Sequence, residues 1–240
     1  MAFSLLATYG HAASPASTPQ PQTDAWWMAR HEQKVLQLRQ GKPNLLFIGD
    51  SITQGWEDTG LRVWNEFYAS RGAVNLGFNS DRTEHVLWRL AHGELDDLAP
   101  RLVILLIGTN NLTARRESPR ETSAGIQAIV DGLHARLPDT KILLLALLPR
   151  GSSPQDSLRR HHARVNAVLR EYASSRSILF LDLGGRFVDN QGRLRLNLMP
   201  DQIHPSEAGY RTWAEGMEPI VQQVLEENPP EDTPPADPRK

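Results

Sequence analysis

The chain contains a series of short apolar runs, each ended abruptly by small or polar residues. An unbroken apolar run of four to eight residues, bounded by turn residues, is typical of a strand buried on both faces of a parallel sheet. On this pattern we predict about five strands, at 45–48, 73–78, 101–107, 141–148 and 177–183.

Amphipathic segments alternate with these strands. Apolar residues at helical spacing predict helices over 24–40, 61–69, 81–90, 118–137 and 157–173, with a last helix starting at Ser206. Alternation of strands and helices indicates an α/β protein, a three-layer doubly wound (flavodoxin-like) sandwich around a central parallel sheet. Turn residues within 187–194 predict an exposed hairpin.

The two ends of the chain depart from this pattern. Residues 1–23 predict a flexible leader that is Pro- and Ser-rich from 14 to 23, and its first part resembles the end of a secretory signal. Residues 228–240 are Pro-rich and acidic, which predicts a disordered tail. The folded domain is predicted at 24–227. If the leader is the remnant of a signal peptide, the protein is periplasmic or secreted, and otherwise it is cytoplasmic.

Composition excludes several kinds of functional site. The 240 residues include 26 basic and 28 acidic side chains, giving a net charge of −2, so nothing in the charge balance favours a nucleic-acid partner. Cysteine is absent, which excludes disulfides, thiolate metal sites and cysteine nucleophiles. No stretch approaches the ~20 apolar residues of a transmembrane helix, so no integral membrane segment is predicted.

Polar residues gather where the predicted strands end. Three loops, at 49–51, 77–79 and 108–110, leave the carboxyl ends of strands, where open α/β sheets bind their ligands. A fourth polar cluster, at 201–205, lies just before the last helix. Serine-dependent acyl transfer requires a nucleophile, a base, a group that orients the base and donors for the oxyanion. These loops offer one of each, although a serine after a strand can equally be a helix N-cap.

These segments resemble the four signature blocks of the GDSL/SGNH hydrolases, at 49–52, Gly77, 108–111 and 201–204. Three further segments resemble the platelet-activating-factor acetylhydrolase catalytic-subunit-like esterases of that family, at 75–77, 85–95 and 147–151. The similarity covers most of residues 44–216, in order.

The resemblance implies a role for each matched residue. Ser51 would be the nucleophile, His204 its general base and Asp201 the group that orients His204. The backbone N–H groups of Ser51 and Gly77 and the side-chain amide of Asn110 would form the oxyanion hole. The resemblance implies an enzyme that needs no cofactor and hydrolyses a short-chain ester. Its substrate would be an acetylated carbohydrate or lipid.

The family also leaves functional alternatives. A lysophospholipase or a thioesterase of the same superfamily would use the same residues. The acetylhydrolase subunits that these segments resemble form dimers, so a homodimer is a further expectation. Trp26 and Trp27 could serve such an interface or belong to the core.

Several residues have simpler structural explanations. Gly77 could be a turn glycine and Asn110 a cap. Asp201 could cap the last helix, with Asp182, after the fifth strand, as the rival acid. If Ser51 points into the predicted cleft, Asp50 has the wrong direction to orient His204, and we interpret it as a structural carboxylate.

The remaining histidines do not suggest a metal site. His161 and His162 are adjacent on a helix and point about 100° apart, so we predict solvated surface positions and no metal. His85 and Trp88 lie one helical turn apart and predict helix packing.

Two other classes of protein share some of these features. A flavodoxin-like binding module would cradle a phosphate at 49–55, yet the chain lacks the glycine-rich phosphate-binding motifs. An α/β-hydrolase would share the order of catalytic residues. That fold requires glycine two residues after the serine, where this chain has Thr53.

Overall fold

The computed structural model describes residues 14–176 and 178–226. Five strands form one sheet: β1 (Leu45–Gly49), β2 (Ala73–Gly77), β3 (Leu102–Leu106), β4 (Lys141–Leu145) and β5 (Leu179–Leu181). Their order in space is β2-β1-β3-β4-β5, and every neighbouring pair is parallel. The predicted α/β class, the parallel sheet and the number of strands are therefore confirmed.

Eight α-helices connect and flank these strands within the described ranges. They are α1 (Ala25–Gln40), α2 (Ser51–Gln54), α3 (Leu61–Phe67), α4 (Thr83–Arg89), α5 (Thr109–Thr113), α6 (Pro119–Arg136), α7 (Ser157–Arg176) and α8 (Glu207–Glu226). None of them is both long and apolar enough to span a bilayer. The segment predicted as a hairpin closes with one antiparallel bridge, between Val188 and Leu194.

The strand order determines where the helices lie. The chain moves outward from β1 to β2, then crosses back and continues through β3, β4 and β5 in the opposite direction. Right-handed crossovers therefore place α4, α6 and α7 on one face and α3 on the other. Contacts between α6 and its neighbours α4 and α7, and between α3 and α8, agree with this arrangement. The direction reverses between β1 and β3, which is where doubly wound sheets bind their ligands.

The apolar runs form the core as their pattern predicts. All five residues of β1 and of β3 are buried, as expected for central strands covered by helices on both faces. Trp27 is also fully buried, whereas the side chain of Trp26 is 42% exposed. Of the two tryptophans considered for an interface, Trp27 therefore belongs to the core.

The described part of the predicted leader differs from a flexible linker. Residues 15–17 form a single 3-10 turn, and Ala16 is fully buried. The Ala16 carbonyl accepts a hydrogen bond from Thr83 Oγ1 at 2.7 Å. Glycine at position 125 of α6 makes this approach possible, because a Cβ there would lie 2.5 Å from the Ala16 oxygen. The signal-like stretch at the start of the chain and the tail at 228–240 lie outside the described residues.

Candidate active site

The turn after β1 is tight because of its sequence. A Cβ on Gly49 would lie 2.4 Å from the Leu106 carbonyl oxygen, so only glycine fits between β1 and β3 at this point. Asp50 then caps α2, its Oδ1 accepting the Ile52 N–H at 3.0 Å. Ser51 consequently becomes the first residue of α2, at the carboxyl end of a central strand.

Asp50 has the structural role that the sequence predicts. Its carboxyl is almost fully buried and caps the helix, with no hydrogen bond to His204 within the described ranges. Burial raises the pKa of Asp50 to about 7, and the neighbouring Asp81 adds to the effect, while the Ile52 N–H opposes it.

The turn at 201–204 brings a carboxylate and an imidazole together. Asp201 Oδ1 accepts the backbone N–H groups of Ile203 and His204 at 2.9 and 2.7 Å. Its Oδ2 lies 2.6 Å from His204 Nδ1. His204 Nε2 in turn lies 2.9 Å from Ser51 Oγ. Three residues that the sequence singled out are thus joined in one chain of hydrogen bonds.

The charge on Asp201 is favoured by the same contacts. Partial burial disfavours the carboxylate, but the bonds from the side chain and backbone of His204 and from the Ile203 N–H hold the pKa of Asp201 below its usual value. The rival acid, Asp182, contacts Gly184 N and Arg170 instead.

Asn110 lies at the start of α5, just after the end of β3. Gly108, with a φ of 124°, turns the chain into α5 directly after the strand. The Asn110 side-chain amide donates to the Asp81 carbonyl oxygen at 3.0 Å. An amide nitrogen carries two hydrogens, so the second remains available for a ligand. The neighbouring Asn111 is fully buried and bonded to Thr83, which identifies it as structural.

The expectation for Gly77 requires a correction. Its N–H donates to Asn75 Oδ1 at 2.7 Å, so this donor is already committed at the end of β2. Ser80, three residues later, is exposed and has a φ of 61°, in the left-handed region that non-glycine residues rarely adopt. Within the described ranges the Ser80 N–H forms no hydrogen bond. Sequence gives no sign of this, since only the backbone conformation distinguishes Ser80.

A narrow cavity adjoins the hydrogen-bonded chain. Its lining consists of Ile52, Thr109, Leu148, Pro149, Arg150, His162, Met199 and Ile203. No part of it is wide enough for a water molecule.

His162 contradicts the expectation of a solvated surface. Its ring is 98% buried because it shares one face of α7 with Val165 and Leu169, a helical spacing already visible in the sequence. Its Nδ1 lies 2.9 Å from the Leu148 carbonyl oxygen, which can only accept, so Nδ1 carries the proton. Nε2 is left with a lone pair and no partner in the described structure. Burial lowers the pKa of His162 to about 4 and keeps the ring neutral.

A wider cleft opens on the other side of Ser51. It holds about 390 Å³ of water-accessible space and is lined by Ser51, Gln54, Gly55, Glu57, Asp58 and Asn79. Lys34 and Arg30 pair with Glu57 at 2.6 and 2.8 Å. Asp58 has no ion pair in the structure as described, and the charges of Arg30, Lys34, Glu57 and Asp58 together balance.

His85 packs as the sequence predicts. His85 is buried at the start of α4, its Nδ1 accepting the Arg82 N–H at 3.1 Å. Trp88, one turn later, packs against Trp27. No three His, Asp or Glu side chains in 14–176 and 178–226 converge as metal ligands.

Comparison with known proteins agrees with the fold. The sequence model of the GDSL-like lipase/acylhydrolase family matches residues 47–212. The platelet-activating factor acetylhydrolase IB subunit alpha2 of Rattus norvegicus is 35% identical over 221 residues, which cover 92% of this chain and 94% of the relative.

Two solved structures share the architecture. A GDSL-like lipase from Bacteroides thetaiotaomicron has a TM-score of 0.69 at 21% identity, covering 82% of this chain and 98% of its own. An acetylxylan esterase from Geobacillus stearothermophilus has a TM-score of 0.60 at 20% identity, covering 77% and 95%. The extent of the family match and the identity to the acetylhydrolase subunit lead to one conclusion: this chain belongs to the GDSL-like lipase/acylhydrolase family and is a serine hydrolase acting on ester bonds.

Proposed function

We propose that the protein hydrolyses short-chain oxygen esters, acetyl esters above all, through a triad of Ser51, His204 and Asp201. The observation that carries the proposal is the continuous hydrogen-bonded chain from Ser51 Oγ through the His204 ring to Asp201 Oδ2. Family membership makes a non-catalytic binding module untenable as an alternative.

The geometry suits proton transfer. Asp201 accepts the Nδ1 proton of His204, which leaves a lone pair on Nε2 facing the Ser51 hydroxyl. Ser51 Oγ attacks the ester carbonyl carbon while His204 Nε2 takes the proton of the Ser51 hydroxyl. The intermediate then expels the alcohol, whose oxygen takes that proton from Nε2. Water then attacks the acyl-enzyme while Nε2 takes a proton from it. Ser51 Oγ takes that proton back from Nε2 as the acid is released.

The oxyanion needs donors that no protein group already uses. We assign this role to the backbone N–H groups of Ser51 and Ser80 and to the free hydrogen of the Asn110 amide. The unusual φ of Ser80 supports this assignment, because strained backbone persists mainly where the surrounding structure needs it.

The narrow cavity disfavours a long acyl group. Because it has no room even for water, any acyl group that entered it would have to force its lining side chains apart, and an acetyl group would move them least. Its walls include Ile52 and Ile203, which adjoin the proposed nucleophile and base in sequence, so a bound acyl group there would lie beside the reacting atoms.

The wider cleft supports a polar alcohol as the leaving group. Gln54 and Asn79 offer hydrogen bonds, and the carboxylate of Asp58, which has no ion pair, is a further acceptor for the hydroxyl groups of an alcohol. An acetylated carbohydrate therefore fits this cleft better than a lipid ester, in the manner of the acetylxylan esterase whose fold is similar.

The proposal is tested with p-nitrophenyl esters from acetate to octanoate. We expect wild type to prefer acetate and Ser51→Ala to lose at least ~10⁴-fold in kcat. Full turnover by Ser51→Ala would refute the triad. Activity that rises with chain length would refute the short-acyl assignment and favour a lysophospholipase. If the ester series supports the proposal, acetylated xylo-oligosaccharides are the next substrates to compare.

A further inference from the structure

A fully buried ionic cluster surrounds Asp81, and the proposed reaction makes no direct use of it. Asp81, Arg89 and Glu94 have no exposed surface. Arg89 Nε donates to Asp81 Oδ2 at 2.9 Å, and its Nη1 pairs with Glu94. A buried carboxylate is expensive unless its lone pairs are all engaged, so its remaining partners are informative.

Those partners come from the beginning of the chain. Trp27 Nε1 donates to Asp81 Oδ1 at 2.7 Å, and Gln22 Nε2 donates to the same oxygen at 2.7 Å. Gln22 also donates to the Asn79 carbonyl at 3.1 Å. The Asp81 carboxylate is therefore held from one side by α4 and from the other by residues 22–27.

The backbone of the same residue faces the proposed oxyanion hole. The Asp81 carbonyl accepts one hydrogen of the Asn110 amide at 3.0 Å. Because only the amide nitrogen can donate, that bond fixes the orientation of the amide and the direction of its second hydrogen. The carboxylate and the carbonyl of Asp81 thus join the N-terminal residues to the Asn110 donor.

We propose that Trp27 and Gln22 are positioning residues for Asn110, acting through Asp81. The inference rests on the proposed function, since it concerns the oxyanion hole of the same site. Neither residue touches the substrate in this scheme. They hold the Asp81 carboxylate, and the carboxylate fixes the carbonyl that orients the amide.

The expected effect follows from how oxyanion donors work. A donor stabilises the developing charge only if it is aimed correctly before the reaction, and small displacements weaken it strongly. Loss of a buried donor to Asp81 would free the loop to shift. Substrate binding in the ground state would change little, so the loss belongs in kcat and not in KM.

Trp27→Phe tests this directly, because it keeps an aromatic ring and removes the N–H. With p-nitrophenyl acetate we expect kcat to fall about 10–50-fold while KM changes less than about twofold. Gln22→Met should give a smaller loss, about 3–10-fold, since Gln22 is only half-buried. Trp26→Phe is the matched control. That side chain is exposed and has no hydrogen bond or ring contact in the described structure, so kcat should be unchanged.

A double-mutant cycle separates positioning from a general loss of stability. Asn110→Ala alone should lower kcat by about 10²–10³. In that background Trp27→Phe should cost less than about threefold, because no amide remains to be positioned. Equal losses in both backgrounds, or an unchanged kcat for Trp27→Phe, would overturn the inference.

Thermal unfolding, a second variant and the activity of wild type separate the possible causes of a negative result. Thermal unfolding identifies a variant that is not folded at the assay temperature. If Trp27→Phe does not fold, the same cycle with Gln22→Met decides the question. An inactive wild type would refute the proposed function. An active wild type with full activity in the folded variant would refute the positioning role alone.

Discussion

Two of the loops that form the site are held in place by different means. The turn at 201–204 organises itself, since Asp201 binds both the backbone and the ring of His204 while more than half of its own side chain stays exposed. The loop at 78–82 depends on distant partners. Its Asp81 is fully buried and bonded to Gln22, 59 residues earlier in the chain.

Because of this difference, mutations in the two loops should affect activity and stability to different extents. An exposed turn held by its own hydrogen bonds can lose a charge without unfolding the protein, because water replaces the lost partner. A buried loop held by ion pairs cannot, because the remaining charge stays uncompensated in the core. Mutations in the turn should therefore report on chemistry, and mutations around Asp81 on both chemistry and folding.

The largest effect is expected from Asp201→Asn. An asparagine amide can donate to Nδ1, which would move the ring proton to Nε2 and remove the acceptor for the Ser51 hydroxyl. We expect kcat to fall about 10⁴-fold, with a change in the free energy of unfolding below about 1 kcal/mol. Ester hydrolysis and denaturant unfolding measure the two quantities. Asp182→Asn is the control, and a loss there instead would transfer the role to Asp182.

Arg89→Met tests the buried side of the comparison. Asp81 and Glu94 would each lose a buried cation, and we expect the free energy of unfolding to fall by about 3–5 kcal/mol. Arg211→Met removes the exposed pair with Glu66, which water screens, and should lower the free energy of unfolding far less. Similar losses for the two variants in denaturant unfolding would show that the cluster around Asp81 does not differ from a surface pair.

A smaller effect is expected at Asp50, next to Ser51. Its pKa of about 7 in the folded protein lies above the ordinary 3.8, so its contribution to stability is fully present below about pH 4 and is lost as the pH rises through 7. The amide introduced by Asp50→Asn would stay neutral at every pH and could still accept the Ile52 N–H. We expect the variant to gain about 2–4 kcal/mol on wild type between pH 4 and pH 8. A stability difference that is the same at both values would contradict the assignment.

The sequence predicts the sheet and the proximity of Ser51, His204 and Asp201 for a physical reason. Each strand is one continuous apolar run, and polar residues at the ends of parallel strands must meet at one edge of the sheet. Asp201 and His204 lie three residues apart, so their contact is local. The hydrogen bonds among Ser51, His204 and Asp201 therefore follow from order along the chain and topology together.

Contacts between distant segments account for what the sequence does not predict. The composition of residues 14–23 suggests a linker, and nothing local shows that Ala16 fits against Gly125. The Gly77 N–H is used by Asn75, a bond that only the folded end of β2 reveals. His162 is the exception, because its spacing with Val165 and Leu169 already indicates a buried face.

The contact between Ala16 and Gly125 affects where the amino-terminal boundary of a recombinant fragment should be placed. A recombinant boundary drawn from composition would begin at Asp24. It would discard Gln22 and uncover the notch at Gly125 that Ala16 fills. Such a fragment would retain all five strands and the residues of the triad, so it could pass every test of foldedness and still understate the turnover of the full chain. For this enzyme a useful amino-terminal boundary lies before Ser14, and purification tags belong upstream of it.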